Sequence, residues 1–422
     1  MRRVLIIGNG IAGNSAAQII KERSRGNASV RILSTENVPL YSACALPEYI
    51  SGEIDRDGLL LKDQVSYERL GIETDLREEV ISLDTYRQEV HTKSGRCLGY
   101  DSLIIASGSS PKVPFVESFY IKGVFLGKTI EDAEAIRRYQ GQKAVVIGAG
   151  PIGIEYGLGL RKRGYRVSIL ETMNWILPTF LGEKQASFVE SLLLEKGIHI
   201  ESGLKVTSVK SDGYAKVKGV ETSKGFIDCD LLLLATGMKP NVALTADSGV
   251  EIGLHGGIVT NQRMETNKEN VYACGDCVES MDVLSGRKSL SLLWHSARQQ
   301  GLVAGFNEAG INRSYHGSFN VCSLSLKPGL VVSTGGANFT DKRALAISEK
   351  DSMTHVCIGA DGTLKGFQYA SKKENWEGIG PFLAFVRAGT SIGELLWVMK
   401  NRPELLPWKR NREFIYAMEA QL

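Results

Sequence analysis

Short, unbroken apolar runs, each stopped by glycine, recur along this chain. Val4 to Ile7 is such a run, and it leads straight into Gly8, Gly10 and Gly13. A continuous apolar run of this length predicts a parallel strand buried on both faces. Ser15-Ala16-Ala17 predicts a helix behind the glycines, and Ser29 to Ser34 a second strand. Leu103 to Ile105 predicts a further buried strand, which ends in the small residues Ala106-Ser107-Gly108. From Lys143 the pattern starts again. Ala144 to Ile147 is followed by Gly148, Gly150 and Gly153, by a helical stretch to about Arg163, and by a strand from Arg166 to Leu170. Leu231 to Leu234 then enters Ala235-Thr236-Gly237, as the earlier strand entered Ala106-Ser107-Gly108. Glu89 to Thr92 and Cys97 to Tyr100, around Lys93-Ser94-Gly95, read as a hairpin. Beyond Ser314 the pattern changes, with strands at Val331 to Gly336 and Thr354 to Ile358 and helices at Ile379 to Arg387 and Ile392 to Lys400.

The glycine spacing G-x-G-x-x-G has a steric purpose. The first glycine permits a tight turn, the second lets a pyrophosphate approach the backbone, and the third lets helix and strand pack closely. An acid follows the second strand in each half, Glu36 and Glu171, placed to accept hydrogen bonds from a ribose. The three glycines recur at one offset of 140 residues, and the small-residue strand end recurs in the same order. Two ordered landmarks repeated in this way predict two Rossmann-like dinucleotide-binding domains in an α/β chain, with a small α+β C-terminal domain.

Composition narrows the partners. The 422 residues carry a formal charge of +3, which gives no electrostatic case for nucleic acid. No run approaches the roughly eighteen apolar residues of a membrane span. Arg2-Arg3 before an apolar run suggests a secretion signal, but the run is already needed as the first strand. Seven scattered cysteines form no disulfide framework, so a reducing cytoplasm is the expected home. Cys274 and Cys277 have C-x-x-C spacing, yet they flank Gly275-Asp276 and no second pair completes a zinc site, so they are expected to pack. No metal site is expected.

The ordered set comprises the first glycine motif, Ala106-Ser107-Gly108, the second glycine motif with Glu155, Ala235-Thr236-Gly237, and Tyr272-Ala273-Cys274-Gly275-Asp276. Over roughly residues 1 to 315 it resembles the two-dinucleotide-fold flavoprotein reductases, the FAD-dependent pyridine nucleotide-disulfide oxidoreductase superfamily. The resemblance implies a glutathione-reductase-like fold. Its FAD domain would span 1–115 and 243–315, its NAD domain 116–242, and its C-terminal interface domain 316–422. FAD would be held by Gly8, Gly10, Gly13, Glu36, Ala106, Gly108 and Asp276. His295 lies in the first turn of a helix from Leu293 to Asn307, either as a flavin contact or as a capping or packing residue. NAD(H) would be held by Gly148, Gly150, Gly153, Glu155, Glu171 and Gly237. With Glu171 in place and no arginine in Thr172 to Trp175, NADH is expected over NADPH.

Two branches of the superfamily compete, and the first leads, because a flavin takes two electrons at once and releases them singly. The Gly-Asn-Gly opening and short C-terminal domain look like the rubredoxin-reductase and nitrite-reductase-like branch. That implies an enzyme passing electrons between NADH and an iron–sulfur or rubredoxin-type partner, free or as the flavin subunit of a larger complex. A homo-oligomer is compatible with either arrangement. Cys44-Ala45-Leu46-Pro47 instead looks like the single-cysteine motif of CoA-disulfide reductases and NADH oxidases, although the spacing from Tyr41 departs from it. Cys44 is then a redox thiol that attacks a disulfide or peroxide; otherwise it is a small buried residue that only packs. A third reading is an NADH-sensing flavoprotein with slow turnover. The segment from Trp397 to Arg412, with Lys400, Arg402, Trp408, Lys409 and Arg410, reads as a docking surface for an acidic carrier or as a solvated basic helix end.

Overall fold

The computed structural model describes residues 1–335, 343–405, 415, 416 and 419. The chain divides into two compact units, one of 1–112, 128–130 and 238–318, the other of 113–127, 131–237 and 319–422.

The first unit is built on a five-stranded parallel sheet in the order Val271–Ala273, Ser102–Ile105, Arg2–Ile7, Ala28–Ser34, Ile72–Leu76. The apolar run Val4 to Ile7 lies at its centre, with Val4 opposite Val30 on one side and Ser102 on the other. Val4 to Ile7 and the strand Ser102–Ile105 are buried throughout, which is why they show no alternation of exposed polar positions. The helices Ile11–Arg23 and Trp294–Glu308 cross closely because glycine lines the contact. A Cβ on Gly305 would stand 2.7 Å from the Ala16 carbonyl oxygen, and one on Gly301 would collide with that of Ala12. The expected hairpin is part of a three-stranded antiparallel sheet of Val80–Asp84, Glu89–Thr92 and Cys97–Gly99.

The second unit repeats the parallel sheet with the order Ile198–Glu201, Arg166–Leu170, Lys143–Ile147, Leu231–Leu234, Val124–Phe125. Its C-terminal part is a five-stranded antiparallel sheet, Val321–Ser325, Leu330–Thr334, Leu364–Ser371, Ser352–Ile358 and Arg343–Ser348. The helices Ile379–Ala388 and Ile392–Asn401 follow, the second opened by a capping box of Ser391 and Glu394. Phe367 and Phe382 join the first of these helices to the sheet with ring centroids 4.6 Å apart. Within the unit, the Gly182 N–H donates to Gln368 Oε1 at 3.3 Å and Ser333 Oγ to the Phe180 carbonyl at 2.6 Å. The strand Leu364–Ser371, central to this sheet, is one that the apolar pattern did not predict.

Cys274 and Cys277 are fully buried, and Cys277 Sγ donates to the Cys274 carbonyl at 3.3 Å. Both are packed in the core of the first unit. Among the described residues no helix is long and apolar enough to cross a membrane.

Asp101, at the entry to the strand Ser102–Ile105, accepts the Arg3 N–H at 2.7 Å and the Arg3 guanidinium at 2.8 Å. These bonds, the guanidinium first, hold its carboxyl down to about 2. A depressed carboxylate contributes stability above its unfolded value of about 3.9 and loses it as pH falls toward the folded value. In denaturant titrations Asp101→Asn should therefore be less stable than wild type at about pH 6, with the gap closing by about pH 2.

Candidate functional site

In the first unit the strand Arg2–Ile7 ends at Gly8, whose φ of +112° suits glycine. A Cβ there would strike the Ala106 carbonyl oxygen, and one on Gly13 would strike that of Gly8. Gly10 is different. Its backbone is ordinary, with φ −74° and ψ −178°, and a Cβ on it would meet nothing within 4 Å. The protein itself does not need glycine there, so the open face is room for a ligand. Gly10 also caps the helix Ile11–Arg23, with no side chain satisfying the first-turn N–H groups and no acid in that turn. An open face over unsatisfied N–H donors suits the pyrophosphate of FAD.

Of the other predicted residues, Ala106 lies against this loop and the Gly275-Asp276 turn against its helix. The Ala106 N–H donates to the Ile7 carbonyl at 2.8 Å, and Gly108 turns at φ +70°. Asp276 accepts from Ser109 Oγ at 2.7 Å. Next to it, a Cβ on Gly275 would lie 3.0 Å from the Ala12 Cβ, which sets the turn beside the first helix. Glu36 is half-buried and accepts from the Tyr41 hydroxyl at 2.8 Å. His295 is exposed on the first turn of Trp294–Glu308.

Three supporting residues escaped the sequence reading. Asn9 Nδ2 donates to the Val38 carbonyl at 3.1 Å, and Asn9 Oδ1 accepts from Tyr67 Oη at 2.9 Å and Asn14 Nδ2 at 2.7 Å. The Leu40 N–H donates to Tyr67 Oη at 2.9 Å. This buried node fastens the glycine loop to the segment that leads to Cys44. The x in Gly8-x-Gly10 was the available signal, because a polar residue in a buried turn needs partners.

The second unit has the same construction. Gly148, at φ +106°, faces the Ala235 carbonyl oxygen, Gly153 faces that of Gly148, and Gly150 opens onto nothing within 4 Å. The helix Pro151–Lys162 again lacks a side-chain cap, and Gly237 turns at φ +95°. Glu171 is buried, its Oε2 accepting the Ala149 N–H at 2.8 Å and its Oε1 the Met173 N–H at 2.9 Å. It thus fixes the loop while each oxygen keeps a second lone pair for a ribose hydroxyl. Glu155 is half-buried and near Cys322, whose thiol is pushed up to about 12 by burial and then by that charge.

Cys44 is exposed, in the turn Ala43–Ala45 that enters the helix Leu46–Ser51. This corrects the packing alternative. The buried stripe of Leu46, Tyr49 and Ile50 follows helical spacing, and position 44 precedes it and lies outside it.

The protein-family model for pyridine nucleotide-disulphide oxidoreductases matches residues 2–301. The chain belongs to that family. Its members depend on FAD and NAD(P)H, and this chain is an NAD(P)H-dependent flavoprotein oxidoreductase. Among pyridine nucleotide-disulphide oxidoreductases, the NADH oxidase of Methanocaldococcus jannaschii is 34% identical over 328 residues, 75% of this chain and 72% of that one. The assimilatory nitrate reductase electron transfer subunit of Bacillus subtilis is 30% identical over 359 residues, 84% of this chain and 45% of that one. The solved NAD-dependent persulfide reductase from A. fulgidus matches with a TM-score of 0.88 at 28% identity, covering 93% of this chain and 78% of that one.

The open and closed glycines should separate on mutation. Gly10→Ala is expected to keep apoprotein stability within about 0.5 kcal/mol and to purify without FAD. Gly150→Ala is expected to keep FAD and raise the KM for NADH. Gly8→Ala, which is strained and colliding, should cost about 2–4 kcal/mol in denaturant unfolding.

Proposed function

We propose that this chain is an NADH-dependent flavoprotein that reduces a small disulfide or persulfide, such as a CoA derivative, through Cys44. The exposure of Cys44 carries the reading, because thiol–disulfide exchange needs an accessible thiolate. Gly8, Gly10, Gly13, Glu36, Ala106, Gly108 and Asp276, with His295, hold FAD. Gly148, Gly150, Gly153, Glu155, Glu171 and Gly237 hold NADH. FAD supplies the two-electron relay between NADH and the thiol, while the chain supplies position and charge.

The Cys44 thiolate attacks one sulfur of R–S–S–R. That S–S bond breaks, Cys44–S–S–R forms, and RS⁻ leaves to take a proton. Two electrons from NADH then cleave the mixed disulfide, releasing the second thiol and restoring Cys44. One disulfide, one NADH and one proton become two thiols and NAD⁺. A persulfide R–S–S–H balances in the same way, giving R–S–H and H₂S. With none of its seven cysteines in a disulfide, the chain suits a reducing cytoplasm.

The iron–sulfur or rubredoxin-type partner is the second reading, supported by the likeness to the nitrate reductase electron transfer subunit. Trp397, 58% exposed, is an anchor such a carrier would use. The positive charge beside it is largely answered, since Lys400 pairs with Glu419, and Arg402 with Glu404 at 3.7 Å. Trp408, Lys409, Arg410 and Arg412 lie outside the described residues.

Cys44→Ser separates the two readings. With FAD content unchanged, disulfide reduction should fall a hundredfold or more, about 2.7 kcal/mol of barrier. NADH:ferricyanide activity should persist. Retained disulfide reduction would overturn the thiol mechanism. A separate measurement concerns the nucleotide. With ferricyanide as acceptor, kcat/KM should favour NADH over NADPH, because a Glu171 carboxylate repels a 2′-phosphate. Glu171→Ala should erode that preference without removing FAD, and equal values in wild type would refute the assignment.

A further inference from the structure

Glu89, His91 and Cys97 lie on the small antiparallel sheet of the first unit, and none of them belongs to either nucleotide site. Glu89 and His91 stand two residues apart on the strand Glu89–Thr92, so their side chains share one face. The other face of that strand is the buried one, carrying Val90 and Thr92. The antiparallel register sets His91 opposite Cys97, which brings the cysteine onto the same outward face. A carboxylate oxygen, a ring nitrogen and Cys97 Sγ all lie within 4.8 Å of one another.

We propose that this face binds one thiophilic divalent cation of the zinc class, with Glu89, His91 and Cys97 as its protein ligands. Zinc bonds to oxygen, nitrogen and sulfur of about 2.0–2.3 Å put tetrahedral donors about 3.3–3.6 Å apart. Small rotations of these half-exposed or exposed side chains close that gap, while the paired strands hold their Cα atoms fixed. A mixed sulfur, nitrogen and oxygen set selects zinc-class ions over magnesium or calcium, which take oxygen alone.

Asp84, opposite Glu89 in the register, does not complete the set. Its Oδ1 accepts the Tyr86 and Arg87 N–H groups at 3.1 and 2.9 Å, and its Oδ2 faces the Arg87 guanidinium at 3.8 Å. The fourth position is therefore left to water. An open cleft of about 480 Å³ beside His91, lined also by Asp247 and Lys268, gives solvent a route to it.

The test uses FAD-loaded Cys44→Ser protein, in which Cys97 is the one exposed cysteine left. Titration with Co²⁺ alone, read as a difference spectrum, should develop a thiolate-to-cobalt charge-transfer band that saturates at one equivalent. Zn²⁺ should abolish the band and Mg²⁺ should leave it. Adding Cys97→Ser should remove the band, and adding His91→Ala should weaken Co²⁺ binding at least tenfold. No thiolate band, or a band that survives Cys97→Ser, overturns the proposal.

Discussion

Everything in the two parallel sheets depends on a contact that no side chain tolerates. In each unit the central strand of the parallel sheet ends at a glycine facing the carbonyl oxygen of the residue just after the neighbouring strand, Gly8 against Ala106 and Gly148 against Ala235. A Cβ at either position would drive the two strand ends apart at their carboxyl edges, the edge at which α/β sheets in general open a ligand crevice. The third glycine of each set brings the following helix down onto the first, so the helix N-terminus lies at that edge with its donors unsatisfied. The positive end of the helix is therefore placed by sterics before any electrostatic attraction acts.

Loops built of glycine have little to hold them, and here buried polar side chains supply the restraint. Asn9 and Tyr67 tie the first loop to Val38 and Leu40. Glu171 ties the second through the Ala149 N–H. Each is a polar group out of water that must be paired, so disturbing one partner exposes the desolvation cost of the other. The Glu171 carboxylate orders the loop from both ends, through the Ala149 and Met173 N–H groups.

The cysteines show how exposure sorts one chemistry into different roles. Cys274 and Cys277 share a redox-like spacing, but burial around the Gly275 turn keeps both from solvent and pushes their thiols up. Cys44 has no such spacing, yet a helix entry leaves it in solvent. Access and charge environment decide which thiol can be a nucleophile.

The parallel strands, the glycine loops and their repetition were legible in the sequence because they are local. An apolar tetrapeptide followed by glycine carries its own instruction about burial and turn, and the repeat supplies a second copy of it. The C-terminal strand Leu364–Ser371 was not legible, since its buried positions include the polar Gln368 and Ser371, which only pairing with Leu330–Thr334 and Ser352–Ile358 takes out of solvent. The partners of Asn9, the loop-fixing role of Glu171 and the exposure of Cys44 were also decided by tertiary structure. Each depends on which distant backbone group arrives within hydrogen-bond reach, or on which face of a short helix meets the core. Local pattern sets what a segment prefers to be; only packing sets what its polar atoms meet.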